Sequence, residues 1–575
     1  MNNDLVRSSV SVTLVGSGGA GVMTAGKLLL EAAAKAGWYG VMTRSFGPQI
    51  RGGEAAALVR LSTRPVETHD DHFDILLAID WSNFDRFAGE IPLAVETLVI
   101  ADPDAGDIPD TVKNSGASVV DLPIQALITE VAGARANMIA LGAVAKLIGI
   151  PLETVDELIG KRLARKGLGA VTTGEAAVNA GAVAAQGISG APRLAGDILD
   201  SDGRWLITGN EAAGLGAIRG GVRFVAAYPI TPATDLMEWM APQLAKVGGT
   251  LVQAEDELAS MNMVIGASFG GTPSLTATSG PGFSLMTESI GLAIASEVPV
   301  VVVDVMRCGP STGIATKSEQ SDLNIAVYGF HGDAPHLVVA PLSVADCLFT
   351  TQWATHLADA MQTAAIVLSD QYLGQAQVVL DRPADIAFVA QRETAAESGE
   401  PYLRYANTAS GISPMACPGT PGNEYTADGL EHNERGIPST LAEVHATQLD
   451  KRNRKLAGFD YGQHWAEIEG EGELAIITWG SSTVPAREAL ARAAADGVSA
   501  RLIGVRLIAP ARPEQMAEAL DGVKRVLVVE QSHSGQFHRY LRAEYDLPDD
   551  VGAFHRPGPL PMRAGDIYDA IREWV

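Results

Sequence analysis

The stretch 10–36 limits the fold more than any other. A short run rich in β-branched residues, 10–15, passes straight into Gly16-Ser17-Gly18-Gly19-Ala20-Gly21, and an Ala/Leu-rich stretch follows at 22–36. The first run reads as a buried strand and the last as a helix. A buried strand fed through a glycine turn into a helix is the unit of an α/β layer structure with a parallel sheet. Strand-like runs at 75–79 and 97–101 continue the pattern.

The pattern returns twice along the 575 residues, a length that allows several domains. The first block covers about 9–185, and the Ala/Gly-rich stretch 181–202 reads as a linker. A second α/β block starts near Trp205 and runs to about Arg392, with strand-like runs at 223–227, 251–253, 274–277, 298–305 and 365–368. From 393 to about 471 apolar periodicity fades and Pro, Gly, Asn, Glu and Thr are frequent, so a long crossing segment is expected. A third block alternates strand 474–478, helix 483–495, strand 500–506, helix 513–520 and strand 525–529, a doubly wound unit.

Charge and cysteine content exclude several functions. The 42 Lys and Arg are outweighed by 68 Asp and Glu, a formal charge of −26. So acidic a chain repels phosphate backbones, and no nucleic-acid partner is expected. The three cysteines, Cys308, Cys347 and Cys417, lie far apart. Neither a disulfide framework nor a four-cysteine iron–sulfur site is expected in one copy, and the chain reads as cytoplasmic. Residues 1–7 carry Asp4 and no apolar core, so no signal peptide is expected. The longest strand-like apolar run, 298–305, is too short to span a bilayer, so no membrane partner is expected.

Each motif has a plain reading beside a functional one. Residues 16–21 fit GxGxxG between a strand and a helix, where backbone N–H groups and the helix dipole favour a phosphate. An NAD site also needs an acidic residue closing a second strand about 20 residues on. The sequence there is Tyr39-Gly40-Val41-Met42-Thr43-Arg44-Ser45, so a bare glycine turn is an equal reading. The loop Ser45-Phe46-Gly47-Pro48-Gln49-Ile50-Arg51-Gly52-Gly53 sets among glycines an arginine suited to gripping an anion, or a tight turn with a solvated arginine. In Tyr228-Pro229-Ile230-Thr231-Pro232, Thr231 as N-cap and Pro232 as first helical residue make an ordinary helix start. The same loop follows a strand, where ligands of parallel sheets bind. Glu255, Asp256 and Glu257 head an Ala/Met-rich helix, as the dipole favours, yet one Glu aimed into a cleft would look the same. Thr278-Ser279-Gly280-Pro281-Gly282 and Arg307-Cys308-Gly309-Pro310-Ser311-Thr312-Gly313 each follow a strand and together suggest a lined cleft.

As an ordered set these motifs resemble the α subunit of the 2-oxoacid:ferredoxin oxidoreductases. Gly209-Asn210-Glu211-Ala212, Thr316-Lys317-Ser318-Glu319-Gln320-Ser321-Asp322-Leu323 and His331-Gly332-Asp333 complete the series. Residues 1–190 resemble the family's γ subunit fused ahead of α, and 203–395 its pyrimidine-binding α domain. Residues 396–471 would be a crossing linker. Residues 472–575, with Trp479-Gly480-Ser481 and Glu530-Gln531-Ser532-His533-Ser534-Gly535-Gln536, resemble its transketolase C-terminal-like domain. The implied fold class is α/β in three domains.

The resemblance also implies chemistry. The fused type points to 2-oxoglutarate, converted with coenzyme A to succinyl-CoA and CO2, or the reverse, with ferredoxin as electron carrier. Thiamine diphosphate would be shared: its pyrimidine half on this chain, its diphosphate half and Mg2+ on a β subunit that also carries a 4Fe–4S cluster, in an α2β2 assembly. The chain lacks the GDG…NN pattern that holds Mg2+-diphosphate, as that division requires. Carried over residue by residue, Glu257 would hydrogen-bond the aminopyrimidine and promote proton loss from the reactive carbon. Its choice over Glu255 follows motif spacing. Thr231 would sit by the substrate carbonyl or the cofactor amine, Arg307 would pair with the substrate carboxylate, and Thr316 would line the same pocket. Gly16, Ser17, Gly18, Gly19, Gly21 and Arg51 would meet coenzyme A. Competing readings are the same reaction on pyruvate, a branched-chain 2-oxoacid or indolepyruvate, an NAD-linked dehydrogenase, and a non-catalytic assembly subunit.

Overall fold

A mixed eight-stranded sheet organises the first of two units, which takes in 1–208, 375–384 and 563–565. The computed structural model describes residues 6–47, 53–194, 203–397 and 401–574. The strand order is Ser118–Asp121, Leu98–Ala101, Ile75–Ala78, Ser9–Ser17, Glu54–Ser62, Tyr39–Phe46, Gln377–Asp381, Arg204–Thr208. Ser9–Ser17 is parallel to Ile75–Ala78 and antiparallel to Glu54–Ser62. The expected parallel sheet therefore holds for one half only. Tyr39–Phe46 pairs back antiparallel on Glu54–Ser62, which lies between it and Ser9–Ser17. A dinucleotide fold needs those two strands side by side to form its crevice, so the NAD-type arrangement is absent here.

Helix Val22–Lys35 lays Leu28, Leu29, Leu30, Ala32 and Ala33 into the core. Each fully buried leucine contributes roughly 1.5–3 kcal/mol. Helices Ala136–Ile148 and Leu168–Ala184 pack backbone to backbone: a Cβ at Gly142 would stand 1.9 Å from the Val178 carbonyl oxygen, and one at Gly181 would stand 2.0 Å from that of Ile139. Residues 181–184, expected to begin a linker, are thus the packed end of a helix, and 195–202 lie outside the described residues. Trp205, expected to open the second block, belongs to the edge strand of this first sheet.

The second unit holds two sheets. One runs Thr250–Gln253, Phe224–Ala227, Ser274–Thr278, Val300–Met306, Ala364–Asp370, Leu337–Val339, Leu507–Ala509. All its neighbours are parallel except the last pair, and the central strands are buried on both faces. The other runs Ala466–Gly470, Ala500–Val505, Leu474–Thr478, Arg525–Glu530, Asp550–His555, with only the first pair antiparallel. The crossing segment contains helix Ala442–Ala457. No helix among the described residues is long and apolar enough to cross a membrane.

Candidate active site

The carboxyl ends of Ser274–Thr278 and Val300–Met306 lie side by side, with Thr278 opposite Asp304. The first strand leads into helix Gly280–Ala295. The second leads into a loop that closes on itself: the Cys308 amide donates to the Lys317 carbonyl at 3.0 Å, and the Ile314 amide donates to the Cys308 carbonyl at 3.0 Å. Gly313, at φ +52°, makes the closure possible, because a Cβ there would stand 1.6 Å from the Cys308 carbonyl oxygen. A cavity of about 730 Å3 is lined by Gly280, Pro281, Arg307, Thr312, Asp322 and His533 among others.

Arg307 is buried, and its Nη1 donates to the Thr231 carbonyl at 2.7 Å. Its Nε is buried without a hydrogen-bond partner. Burial lowers its pKa, while Asp322 works in the other direction. Asn210 Nδ2 donates to the Pro232 carbonyl at 3.0 Å, so two side chains tie down the Thr231–Pro232 loop. The next helix begins at Thr234 with Ala233 as N-cap. Thr231 is therefore not the N-cap that the sequence suggests; these tertiary hydrogen bonds hold the loop instead, and its side chain is exposed.

Glu257 opens helix Glu257–Phe269. The N-cap is Asp256, whose carboxylate accepts from the Ala259 amide at 2.7 Å, so Glu257 is not needed for capping. Glu257 is 7% exposed and Glu255 is exposed. Among the described residues no hydrogen bond reaches the Glu257 carboxylate. It stands against the glycine turn: a Cβ at Gly282 would lie 2.5 Å from Glu257 Oε1. The side chain is mostly buried and its carboxylate keeps its acceptor capacity unused by the protein, so a ligand N–H facing it fits the site. The structure thus joins Arg307 to the Thr231 loop and Glu257 to the Gly280–Gly282 turn. Glu257, Thr231 and Thr316 are not part of the wall that Arg307 lines, and Thr316 is half-buried within the closed loop.

In the first unit a cavity of about 950 Å3 lies over the glycine turn. The starts of three helices line it: Val22 and Thr24 of Val22–Lys35, Ala136 and Asn137 of Ala136–Ile148, Gly169 and Thr173 of Leu168–Ala184. Arg135 and Lys166 add positive charge and Glu54 adds one acid. Converging helix N-termini with two cations favour an anionic ligand. The glycine turn itself is partly engaged. Asp80 accepts from the Ser17 amide at 2.9 Å and from its hydroxyl at 2.8 Å, and the Gly18 amide donates to the Gly53 carbonyl at 2.5 Å. Burial works to raise the Asp80 pKa, but the hydrogen bonds from Ser17 and Ser82 outweigh it and hold the carboxyl below its usual range. Gly19 and Gly21 take positive φ, as this turn requires. Arg51 lies outside the described residues. Sequence reading missed Arg135 and Lys166; the available signal was a basic residue one or two positions before two of the three helical runs, which is weak without the fold.

Three family models divide the chain: pyruvate ferredoxin/flavodoxin oxidoreductase over 11–184, the thiamine-diphosphate-binding region of pyruvate flavodoxin/ferredoxin oxidoreductase over 215–451, and the transketolase C-terminal domain over 463–536. With the sheets described above they define an α/β oxidoreductase chain with a thiamine-diphosphate-binding domain. The alpha subunit of 2-oxoacid:ferredoxin oxidoreductase 2 from Aeropyrum pernix is 30% identical over 98% of this chain and 97% of its own. The 2-oxoglutarate oxidoreductase subunit KorA of Mycobacterium tuberculosis is 30% identical over 98% of this chain and 91% of its own. A solved 2-oxoglutarate:ferredoxin oxidoreductase from Magnetococcus marinus, with 2-oxoglutarate, coenzyme A and succinyl-CoA bound, superposes with a TM-score of 0.92 at 35% identity, covering 99% of this chain and 100% of that one. The chain belongs to the 2-oxoacid:ferredoxin oxidoreductases, as an alpha subunit of the type with a γ-like domain at its front. The relatives' subunit names place such a chain in a multi-subunit enzyme.

Proposed function

We propose that this chain is the alpha subunit of a cytoplasmic 2-oxoglutarate:ferredoxin oxidoreductase, which forms succinyl-CoA and CO2 or runs in reverse. The observation that carries the reading is Glu257, a mostly buried side chain whose carboxylate has no donor among the described residues and stands against a glycine turn at the carboxyl end of a parallel sheet. The full-length likeness to a structure holding 2-oxoglutarate and coenzyme A supports the choice of substrates.

Thiamine diphosphate, when bound, supplies the nucleophilic carbon and the electron sink for decarboxylation. With that cofactor bound, Glu257 would accept an N–H of the pyrimidine ring and hold a proton there, which is general acid–base work. Arg307 receives the substrate carboxylate from its cavity, steadied by its bond to the Thr231 carbonyl. Thr231 presents an exposed side chain at that loop, and Thr316, half-buried in the loop after Arg307, lines the same pocket once substrate is bound. Diphosphate, Mg2+ and the 4Fe–4S cluster sit on a β subunit in an α2β2 assembly, and ferredoxin takes the electrons.

Coenzyme A phosphates fit the cavity of three helix starts, with Ser17 to Gly21, Arg135 and Lys166 around them; Gly16, in the strand before the turn, does not line it. Replacing Arg135 or Lys166 by alanine is expected to raise the KM for coenzyme A about tenfold each, through loss of a charge-assisted hydrogen bond. The KM for the 2-oxoacid should stay within about twofold. An unchanged KM for coenzyme A in both variants would move that ligand elsewhere.

A 2-oxoacid panel tests the substrate. The enzyme assembled with its partner is expected to turn over 2-oxoglutarate with the highest kcat/KM. A higher value with pyruvate, a branched-chain 2-oxoacid or indolepyruvate would overturn the assignment.

A further inference from the structure

Two buried carboxyls beside Arg307 have no part in the reaction so far. Asp304 is fully buried in strand Val300–Met306, and neither carboxyl oxygen has a hydrogen-bond partner among the described residues. The side chain it faces is that of Asp322. Asp322 precedes helix Leu323–Tyr328 and lines the Arg307 cavity. Its Oδ1 accepts from the Ser321 hydroxyl at 3.1 Å, and the same hydroxyl donates to the Arg307 carbonyl at 2.8 Å. Its Oδ2 is buried without a partner and stands against Gly280, where a Cβ would lie 2.7 Å away.

Two carboxylates facing each other out of water cannot both ionise. One proton between them turns the repulsion into a hydrogen bond and answers the buried oxygens that lack a donor. We propose that Asp304 and Asp322 share one proton, and that the charge left on Asp322 sets how strongly the Arg307 cavity holds an anionic 2-oxoacid. This rests on the reading of that cavity as the 2-oxoacid site.

The groups facing Asp322 are Asp304 from the strand and Ser321, Glu319 and Arg307 from the loop, with His533 facing Glu319. Burial, and then the charge of Asp322, pushes Asp304 well above the usual carboxylate range. Burial raises Asp322 to about 6, against the hydrogen bonds of Ser321 and Asp304. At neutral pH the pair therefore holds one proton and Asp322 is charged. Below about 6 a second proton enters and the repulsion on a bound anion disappears. Asp322 is a positioning residue: it acts on the substrate through the charge of the wall.

Two measurements on the assembled enzyme test this. The first is KM for 2-oxoglutarate across about pH 5.5–7.5. In the wild type KM falls as pH drops through about 6. In Asp322→Asn it is flat and about fivefold lower than wild type at neutral pH, because a like charge has left the wall. In Asp304→Asn the amide donates to Asp322 permanently, so the fall moves to lower pH. Profiles of the same shape in all three enzymes would overturn the proposal. The second is the infrared difference between wild type and Asp304→Asn, without substrate, at neutral pH. A protonated-carboxyl band lost in the variant is expected, and its absence overturns the shared proton. If that band is present but no 2-oxoacid is turned over, the functional reading fails, and with it the assigned role of the charge.

Discussion

Glu257→Gln is expected to cut turnover of the assembled enzyme by about 10²–10⁴-fold, the usual contribution of a positioned acid–base group. The variant keeps the shape and volume of the side chain, and the helix loses no cap, because Asp256 supplies it. The fold should not suffer, since among the described residues the Glu257 carboxylate has no hydrogen-bond partner to lose. A thermal midpoint equal to or above that of the wild type, together with the lost turnover, separates a chemical role from a structural one. Glu255→Gln, on an exposed side chain, should stay within about twofold of wild type. If Glu257→Gln keeps full turnover, the chain is an assembly subunit and the chemistry lies on its partner.

The second large effect falls on stability. Glu297 is fully buried at φ +53°, with its carboxylate on Lys451 Nζ at 2.5 Å and Lys455 Nζ at 2.8 Å, and its carbonyl accepts from Arg404 Nη2 at 2.7 Å. One acid serves three buried cations. Burial pushes the Glu297 carboxyl up, but Lys455, Lys451 and Arg404 outweigh it and hold it far below the usual range. Burial lowers Lys451 to about 8; Glu297 opposes this, while Lys455 and Arg404 add to it. Removing the acid in Glu297→Gln strands the lysines, and about 3–5 kcal/mol of stability is lost.

The deficit depends on pH with a definite sign. Both lysines titrate below their unfolded value, so over that interval the unfolded chain binds more protons than the folded one. Stability from these groups therefore rises with pH, from about 8 for Lys451 towards the ordinary lysine value of 10.5. Without Glu297 the lysine pKa values fall further and the interval widens downwards. Urea midpoints of wild type and variant should converge as pH is raised from about 7 to about 9. A constant gap across that range would mean that the lysines do not govern the cost.

The same cluster explains what the sequence hid. Helix Ala442–Ala457 buries Gln448, Lys451, Arg452 and Lys455 on its inner face, so the apolar stripe that marks a helix is replaced by paired charges. The central strands of the middle sheet were legible because they are short, apolar and buried on both faces. The hairpin Tyr39–Phe46 and Glu54–Ser62 was not, since Ser45, Glu54 and Arg60 sit buried in it with partners elsewhere in the unit. Leu337–Val339 and Leu507–Ala509 are three residues each and carry no periodicity to read.

The site divides in the same way. The loops bearing Thr231, Gly282 and Arg307 show as glycine and proline punctuation after strands, which survives in a bare sequence. Motif spacing already favoured Glu257 over Glu255, and the fold adds that Glu257 opens its helix as a buried residue while Glu255 lies exposed before the N-cap. The cavity with Arg135 and Lys166 is assembled from helix starts at residues 22, 136 and 168, and only folding brings them together.

The most direct test of the central claim is reduction of a one-electron dye by this chain assembled with its partner from the same cells, fed 2-oxoglutarate. Reduction that requires both coenzyme A and thiamine diphosphate, with succinyl-CoA formed in proportion, is the predicted result. Dye reduction indifferent to coenzyme A, or none with any 2-oxoacid, would contradict the account.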